Sequence, residues 1–144
     1  MKPFCQLQVA CSRSLEETKK IIETCEIDLN NVPLNYTWFP VCIATIHKKR
    51  DIVEYLINCG AYTNVSIGPY SPLVLAIERK NMDIIRVISS HHTFFMSDLP
   101  DLIQFSREIC FVEGEQFFID QLVKPLFDLH VFPPIIHHHI RSFF

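Results

Sequence analysis

An internal repeat constrains the fold of this chain more than any other feature of its sequence. Three landmarks shift together by 32 residues between segments 40–59 and 72–91: Pro40 to Pro72, Ala44 to Ala76, and Asp51 to Asp83, each Asp followed by Ile. A weaker copy lies upstream at an offset of 34, pairing Ala10 with Ala44, Ile22 with Leu56, Cys25 with Cys59 and Asn30 with Asn64. A period of this length marks one supersecondary unit too small to bury its own apolar face, so copies must stack. The residues predict two short helices per unit. Pro40 and Pro72 suit a first helical turn, where the missing N–H costs nothing. Asp51 and Asp83 suit the start of the second helix, accepting from orphan N–H groups at the positive end of its dipole. Ile52, Tyr55 and Leu56, like Ile84, Val87 and Ile88, recur at i, i+3, i+4 and make one apolar stripe. Gly60 supplies a left-handed stop, and Ser66-Ile67-Gly68-Pro69-Tyr70 returns the chain to the next unit.

Composition bounds the function classes. The 144 residues carry 13 basic and 16 acidic side chains, a net charge of −3, with 49% hydrophobic and 20% charged residues. A chain of this size buries enough apolar surface to fold without metal or disulfide staples, and is too apolar for disorder. Nucleic-acid binding is not expected, because Lys48-Lys49-Arg50 is the one basic run and reads as a solvated loop. No segment reaches the roughly 18 apolar residues of a membrane span. The six cysteines include no C-x-x-C pair and mostly sit in apolar helical patterns, as reduced core thiols do. With no recognisable signal peptide, a cytoplasmic location follows, the nucleus remaining open. Three glycines cannot build a phosphate-cradling loop. Consecutive His137-His138-His139 point in different directions from a helix, and Cys110 lies near Glu108 and Glu113 rather than near bases, so neither a metal site nor a nucleophile is expected. The sequence therefore reads as non-enzymatic, with no cofactor.

The repeat resembles the ankyrin repeat. Ser71-Pro72-Leu73-Val74-Leu75-Ala76 looks like that family's Thr-Pro-Leu-His-x-Ala opening, and Gly60-Ala61-Tyr62-Thr63-Asn64 like its Gly-Ala-x-x-Asn ending. The match spans about residues 5 to 92. Phe39 departs from it where the family has Thr, and Lys49-Arg50 and Lys80-Asn81 replace its Gly-His step. The resemblance implies an all-α ankyrin-repeat solenoid of about three repeats over 1–93. A degenerate fourth helix pair or cap is expected over 94–124, and an apolar, helical C-terminal extension over 125–144. In the fourth pair, Ser97-Asp98-Leu99-Pro100 reads as a helix start and Leu102 to Cys110 as the first helix. Gly114 reads as the separator before a second helix, Glu115 to Lys124. Ten of the twelve Phe lie between Phe94 and Phe144. Phe105, Phe111, Phe117 and Phe118 are too many for a solvent-facing solenoid end, so something must cover them.

Two surfaces are candidates for partner binding. Tyr36, Trp38 and Tyr70 fall in turns between repeats rather than on core stripes, where aromatic side chains either anchor a partner or, for Trp38, fold back on the first repeat. By the ankyrin resemblance, Tyr36, Trp38, His47, Lys48, Tyr70, Glu78 and Arg79 would line the binding face for another protein. The C-terminal segment resembles the end of a SOCS box, with Phe132, Pro133, Ile136, His139 and Ile140 in the cullin-facing slots. The corresponding elongin helix fits best at Phe118-Ile119-Asp120-Gln121-Leu122-Val123, with Val123 in place of Cys and Phe127 four residues on. That resemblance implies elongin and a cullin as partners, with Ile119, Leu122, Val123, Phe127, Phe132, Pro133, Ile136 and Ile140 docking them. A register through Ile109-Cys110 restores the Cys but puts Gly114 at an aliphatic slot. The alternative is a stand-alone ankyrin inhibitor or decoy, in which residues 126–144 simply close the solenoid.

Overall fold

The computed structural model describes residues 3–33, 36–91 and 97–128, the last three by their backbone alone. Among them are eight α-helices: α1 (Pro3–Cys11), α2 (Leu15–Thr24), α3 (Pro40–Ile46), α4 (Arg50–Asn58), α5 (Pro72–Glu78), α6 (Met82–Ser90), α7 (Leu99–Glu108) and α8 (Val112–Asp128). The fold is all-α, as the helical periodicity predicts, and the described residues hold no helix long and apolar enough to cross a membrane. Two compact units divide the chain, Met1–Thr93 and Phe94–Phe144.

In the first unit, consecutive helices pair as hairpins, α1 with α2, α3 with α4 and α5 with α6. The hairpins stack in register: α1, α3 and α5 form one layer and α2, α4 and α6 the other. The shared core runs along both layers, through Leu7, Ala10, Val41, Ala44, Ile52, Leu56, Ala76, Ile77, Ile84 and Ile88, all essentially without solvent contact. Each such Ile or Leu contributes on the order of 2 kcal/mol of apolar burial. In the second unit α7 packs against α8.

Backbone reversals explain why the hairpins close. Lys48, Lys80 and Cys110 adopt left-handed φ of 59°, 54° and 58°, one at the end of the first helix of each of the last three hairpins. In each, the left-handed residue donates three positions back, to Thr45, Ile77 and Arg107, at 3.0, 2.9 and 3.0 Å. The next N–H reaches five back, to the carbonyls of Ala44, Ala76 and Ser106, at 2.8, 3.0 and 2.8 Å. This double bond pattern satisfies carbonyls the helix end would otherwise orphan. Gly60, at φ 100°, closes α4 the same way, with bonds from Gly60 to Ile57 and from Ala61 to Leu56.

The caps differ from expectation. Asp51 and Asp83 sit in the first turns of α4 and α6, where their charge suits the dipole, but they are not the capping residues. Asn81 caps α6 through its side chain, accepting from the Ile84 N–H at 3.1 Å, whereas Lys49 at the start of α4 offers no side-chain acceptor. Ser71 caps α5 by accepting from Val74 at 3.2 Å, and Phe39, which stands in that place before α3, makes no such bond.

The fourth pair differs more. Its second helix begins at Val112, so Gly114 lies inside α8 rather than before it, and the helix continues past residue 124 through Pro125 to Asp128. A Cβ at Gly114 would overlap the ring of Phe111, itself buried. The close approach, not a turn, requires glycine here.

Two stability changes of opposite sign are expected. Lys48→Gly and Lys80→Gly relieve left-handed backbone and should each raise stability by up to about 1 kcal/mol, a rise in Tm of about 2–4 °C. Gly114→Ala gains about 1 kcal/mol of helix propensity but loses about 1–3 kcal/mol to overpacking, so a lower Tm is expected in thermal denaturation.

Candidate protein-binding site

The segments that enter α3 and α5 bring the aromatic residues together. Gly60 ends α4, and Asn30 of the preceding unit then ties the loop down: its Nδ2 donates to the Gly60 carbonyl at 3.0 Å and its Oδ1 accepts from the Tyr62 N–H at 2.8 Å. Further on, Ile67 and Tyr70 exchange both backbone hydrogen bonds, 2.8 and 3.0 Å, around Gly68-Pro69. Gly68 supplies the positive φ of 58° that a two-residue hairpin turn of this type requires. The tip presents Tyr70 beside Trp38 of the preceding loop, ring centroids 5.9 Å apart in edge-to-face contact. Tyr36 meets Phe4 of α1 in the same way at 4.9 Å. The Gln8 side chain donates to the Trp38 carbonyl at 3.0 Å, fixing that loop on α1.

Of the two readings of Trp38, the structure has it folded back on the first repeat. Trp38 and Tyr36 are half-buried and pack on the stack, while Tyr70 is 41% exposed. The Tyr36 hydroxyl is pushed above its ordinary pKa by burial first and by neighbouring Cys5. Tyr62, at 61% exposure, lies in the same loop as Tyr70 and is not among the expected residues. Its place in the Gly-Ala-x-x-Asn segment disguised it as a purely structural loop residue.

The remaining expected residues lie elsewhere. His47 and Lys48 end α3, and Glu78 and Arg79 end α5, all exposed. A seven-residue helix, about 10 Å long, separates them from the aromatic end. The seven residues thus form two groups, one at each end of the first-layer helices. The turn group gathers further cations. Arg13, Lys48, Lys49 and Arg50 line a cleft of about 290 Å³ together with Leu15, Asp51 and Ile52.

The residues expected to dock elongin and a cullin are partly withdrawn. Ile119 and Val123, four apart on α8, are buried with Phe118 and Phe111, and Leu122 is half-buried. Ile119 and Val123 are therefore core residues of the second unit rather than surface anchors, because their side of α8 is the side turned inward. The Phe127 side chain, and Phe132, Pro133, Ile136, His139 and Ile140, lie outside the described residues. The register through Ile109-Cys110 does not fall on a helix: Ile109 ends α7, and Cys110 is the left-handed turn residue. Part of the Phe surplus has its cover, since Phe111 and Phe118 are buried and Phe105 and Phe117 half-buried.

All six cysteines are free thiols. Cys11 and Cys42 are fully buried, and burial pushes both up to about 12, offset slightly at Cys11 by the Thr18 hydroxyl. They behave as small core residues, whereas Cys59 and Cys110 sit exposed at helix ends rather than in apolar stripes. No group of three or more His, Cys, Asp or Glu converges among the described residues. Alkylation of the native protein should modify Cys59 and Cys110 first and leave Cys11 and Cys42 unreacted until denaturant is added, as peptide mapping by mass spectrometry would read. The raised pKa values also set a sign for alkaline pH. The protonated core thiols stabilise the fold fully below about 9, and that contribution is lost as pH rises toward 12, so Tm should fall over that window.

Comparison with known proteins finds no matching family model, no matching curated protein and no matching solved structure.

Proposed function

We propose that this protein is a non-catalytic protein-binding module of ankyrin type, which holds a partner protein at the aromatic loop edge of its hairpin stack. The single observation that carries this reading is the loop tip at Ile67–Tyr70, stiffened by two backbone bonds and presenting Tyr70 and, nearby in the same loop, the exposed Tyr62. Rigid aromatic side chains on a tied loop supply contact area with little entropy left to lose, which is what a binding anchor requires. The ankyrin resemblance of segments 60–64 and 71–76 and the layered stacking of three hairpins support the same reading.

Of the two forms this module can take, the burial of Ile119 and Val123 supports the stand-alone inhibitor or decoy, because it leaves less of the helix for elongin to grip. The substrate-receptor form, with elongin and a cullin docked at Phe132, Pro133, Ile136 and Ile140, rests on the sequence resemblance alone. Affinity purification of the tagged full chain from cells distinguishes them: stoichiometric elongin, lost on Ile136→Asp with Ile140→Asp, would establish the receptor form, and its absence the stand-alone form. For the binding edge itself, Tyr70→Ala loses the contact with Trp38, about 0.5–1.5 kcal/mol, so Tm should fall by about 1–6 °C while the captured partner is weakened by about 30-fold or more. An unchanged partner affinity would refute the edge as the binding surface.

A further inference from the structure

The opposite edge of the stack carries a charge pattern that the aromatic edge leaves unused. Residues at equivalent places in the three turns are Arg13, His47 and Arg79, followed in the second and third turns by Lys48 and Lys80. Because the hairpins stack in register, these turns lie side by side. Between the first and second is the cleft of about 290 Å³, where Arg13, Lys48, Lys49 and Arg50 face one carboxylate, Asp51. Among the described residues no carboxylate pairs with Arg13, Lys48 or Lys49, and Arg50 reaches only Glu54, at 3.9 Å. Two further observations, neither of them about charge density, bear on the same edge. Lys48 and Lys80 hold left-handed backbone that glycine would adopt at lower cost, so a cationic side chain stands at each despite strain. The first turn of α4, which opens into the cleft, has no side-chain cap, although α2 and α6 each have one.

We propose that this cleft and the turn row continuing it dock an acidic, extended segment of a partner protein. The proposal rests on reading the stack as a protein-binding module but places a second contact on a separate edge. Spacing favours a peptide. Neighbouring stacked helices lie about 8–10 Å apart, and a polyproline II segment advances about 3.1 Å per residue with three residues per turn, so acidic side chains at every third position share one face and meet successive turns. A nucleic acid fits less well. Its unbroken phosphate row would run against Glu78, Asp51 and Asp83, which interrupt the cations, whereas spaced carboxylates pass between them.

The test is fluorescence anisotropy with the full chain and three labelled probes: a ten-residue peptide with Glu at every third position, the same peptide with Gln, and a single-stranded oligonucleotide. Saturable binding of the Glu peptide is expected, absent for the Gln peptide and weakened by added salt. Removing a cation should cost about threefold in Kd, and about tenfold for two. The decisive variants are Lys48→Gly and Lys80→Gly, because they should strengthen the fold while weakening the peptide, two effects that a merely structural lysine cannot separate. Equal binding of the Gln peptide, unchanged affinity in the glycine variants, or tighter binding of the oligonucleotide would overturn the proposal. None of these outcomes touches the Tyr70→Ala measurement, so failure here is distinct from failure of the aromatic edge.

Discussion

Everything in this structure depends on how a short helix is made to stop and reverse. In three of the four hairpins a left-handed residue donates three positions back, and its successor donates five positions back to Ala44, Ala76 or Ser106. That acceptor residue is small each time and wholly buried. The hydrogen bonds alone do not demand a small acceptor, since Leu56 takes the same role where Gly60 ends α4. Ser106 meets the additional demand of a hydroxyl in the core by donating to the Leu102 carbonyl at 2.8 Å. The first hairpin turns without a left-handed residue, closing instead through the Ser14 N–H on the Ala10 carbonyl at 2.9 Å, again over a buried alanine.

Short first helices have a consequence for function. With seven residues, α3 and α5 are just long enough to bury a stripe and too short to merge what lies at their two ends. One end collects the interlocked aromatic pairs, Phe4 with Tyr36 and Trp38 with Tyr70. The other collects the cations of the reversals. Stacking then multiplies each end into an edge, one apolar with hydroxyl tips and one basic, which suits a single partner chain gripped in two chemically different ways or two segments bound independently.

In the second unit the excess of apolar residues follows a different logic. Phe111, which precedes α8, lies over Gly114, and Phe118, Ile119 and Val123 fill the inner side of the helix. Among the described residues of this unit, Val112, 73% accessible, is the large apolar side chain left exposed, of the kind any protein surface tolerates.

Much of the fold was legible in the residues themselves. The 32-residue offset, the helical stripes at Ile52–Leu56 and Ile84–Ile88, Pro40 and Pro72 at helix starts, and the left-handed stop at Gly60 are all local patterns, and local patterns survive into the structure because neighbours in sequence are neighbours on a helix. The binding candidates were less legible. Tyr36 and Trp38 look alike in sequence to Tyr70, and only the position of α1, with Phe4 and Gln8, decides that two of the three are half-buried. Asp51 and Lys49 both stand near a helix start, and a shift of two residues settles that the lysine, which makes no side-chain cap bond, and not the aspartate occupies the cap. Gly114 reads as a breaker until Phe111 is seen lying over it. Sequence alone determined that residues 3–91 form a run of stacked helical hairpins, because periodicity is written in single residues. Tertiary structure alone decided which side chains stay exposed, because exposure belongs to the neighbours that pack against a residue and not to the residue.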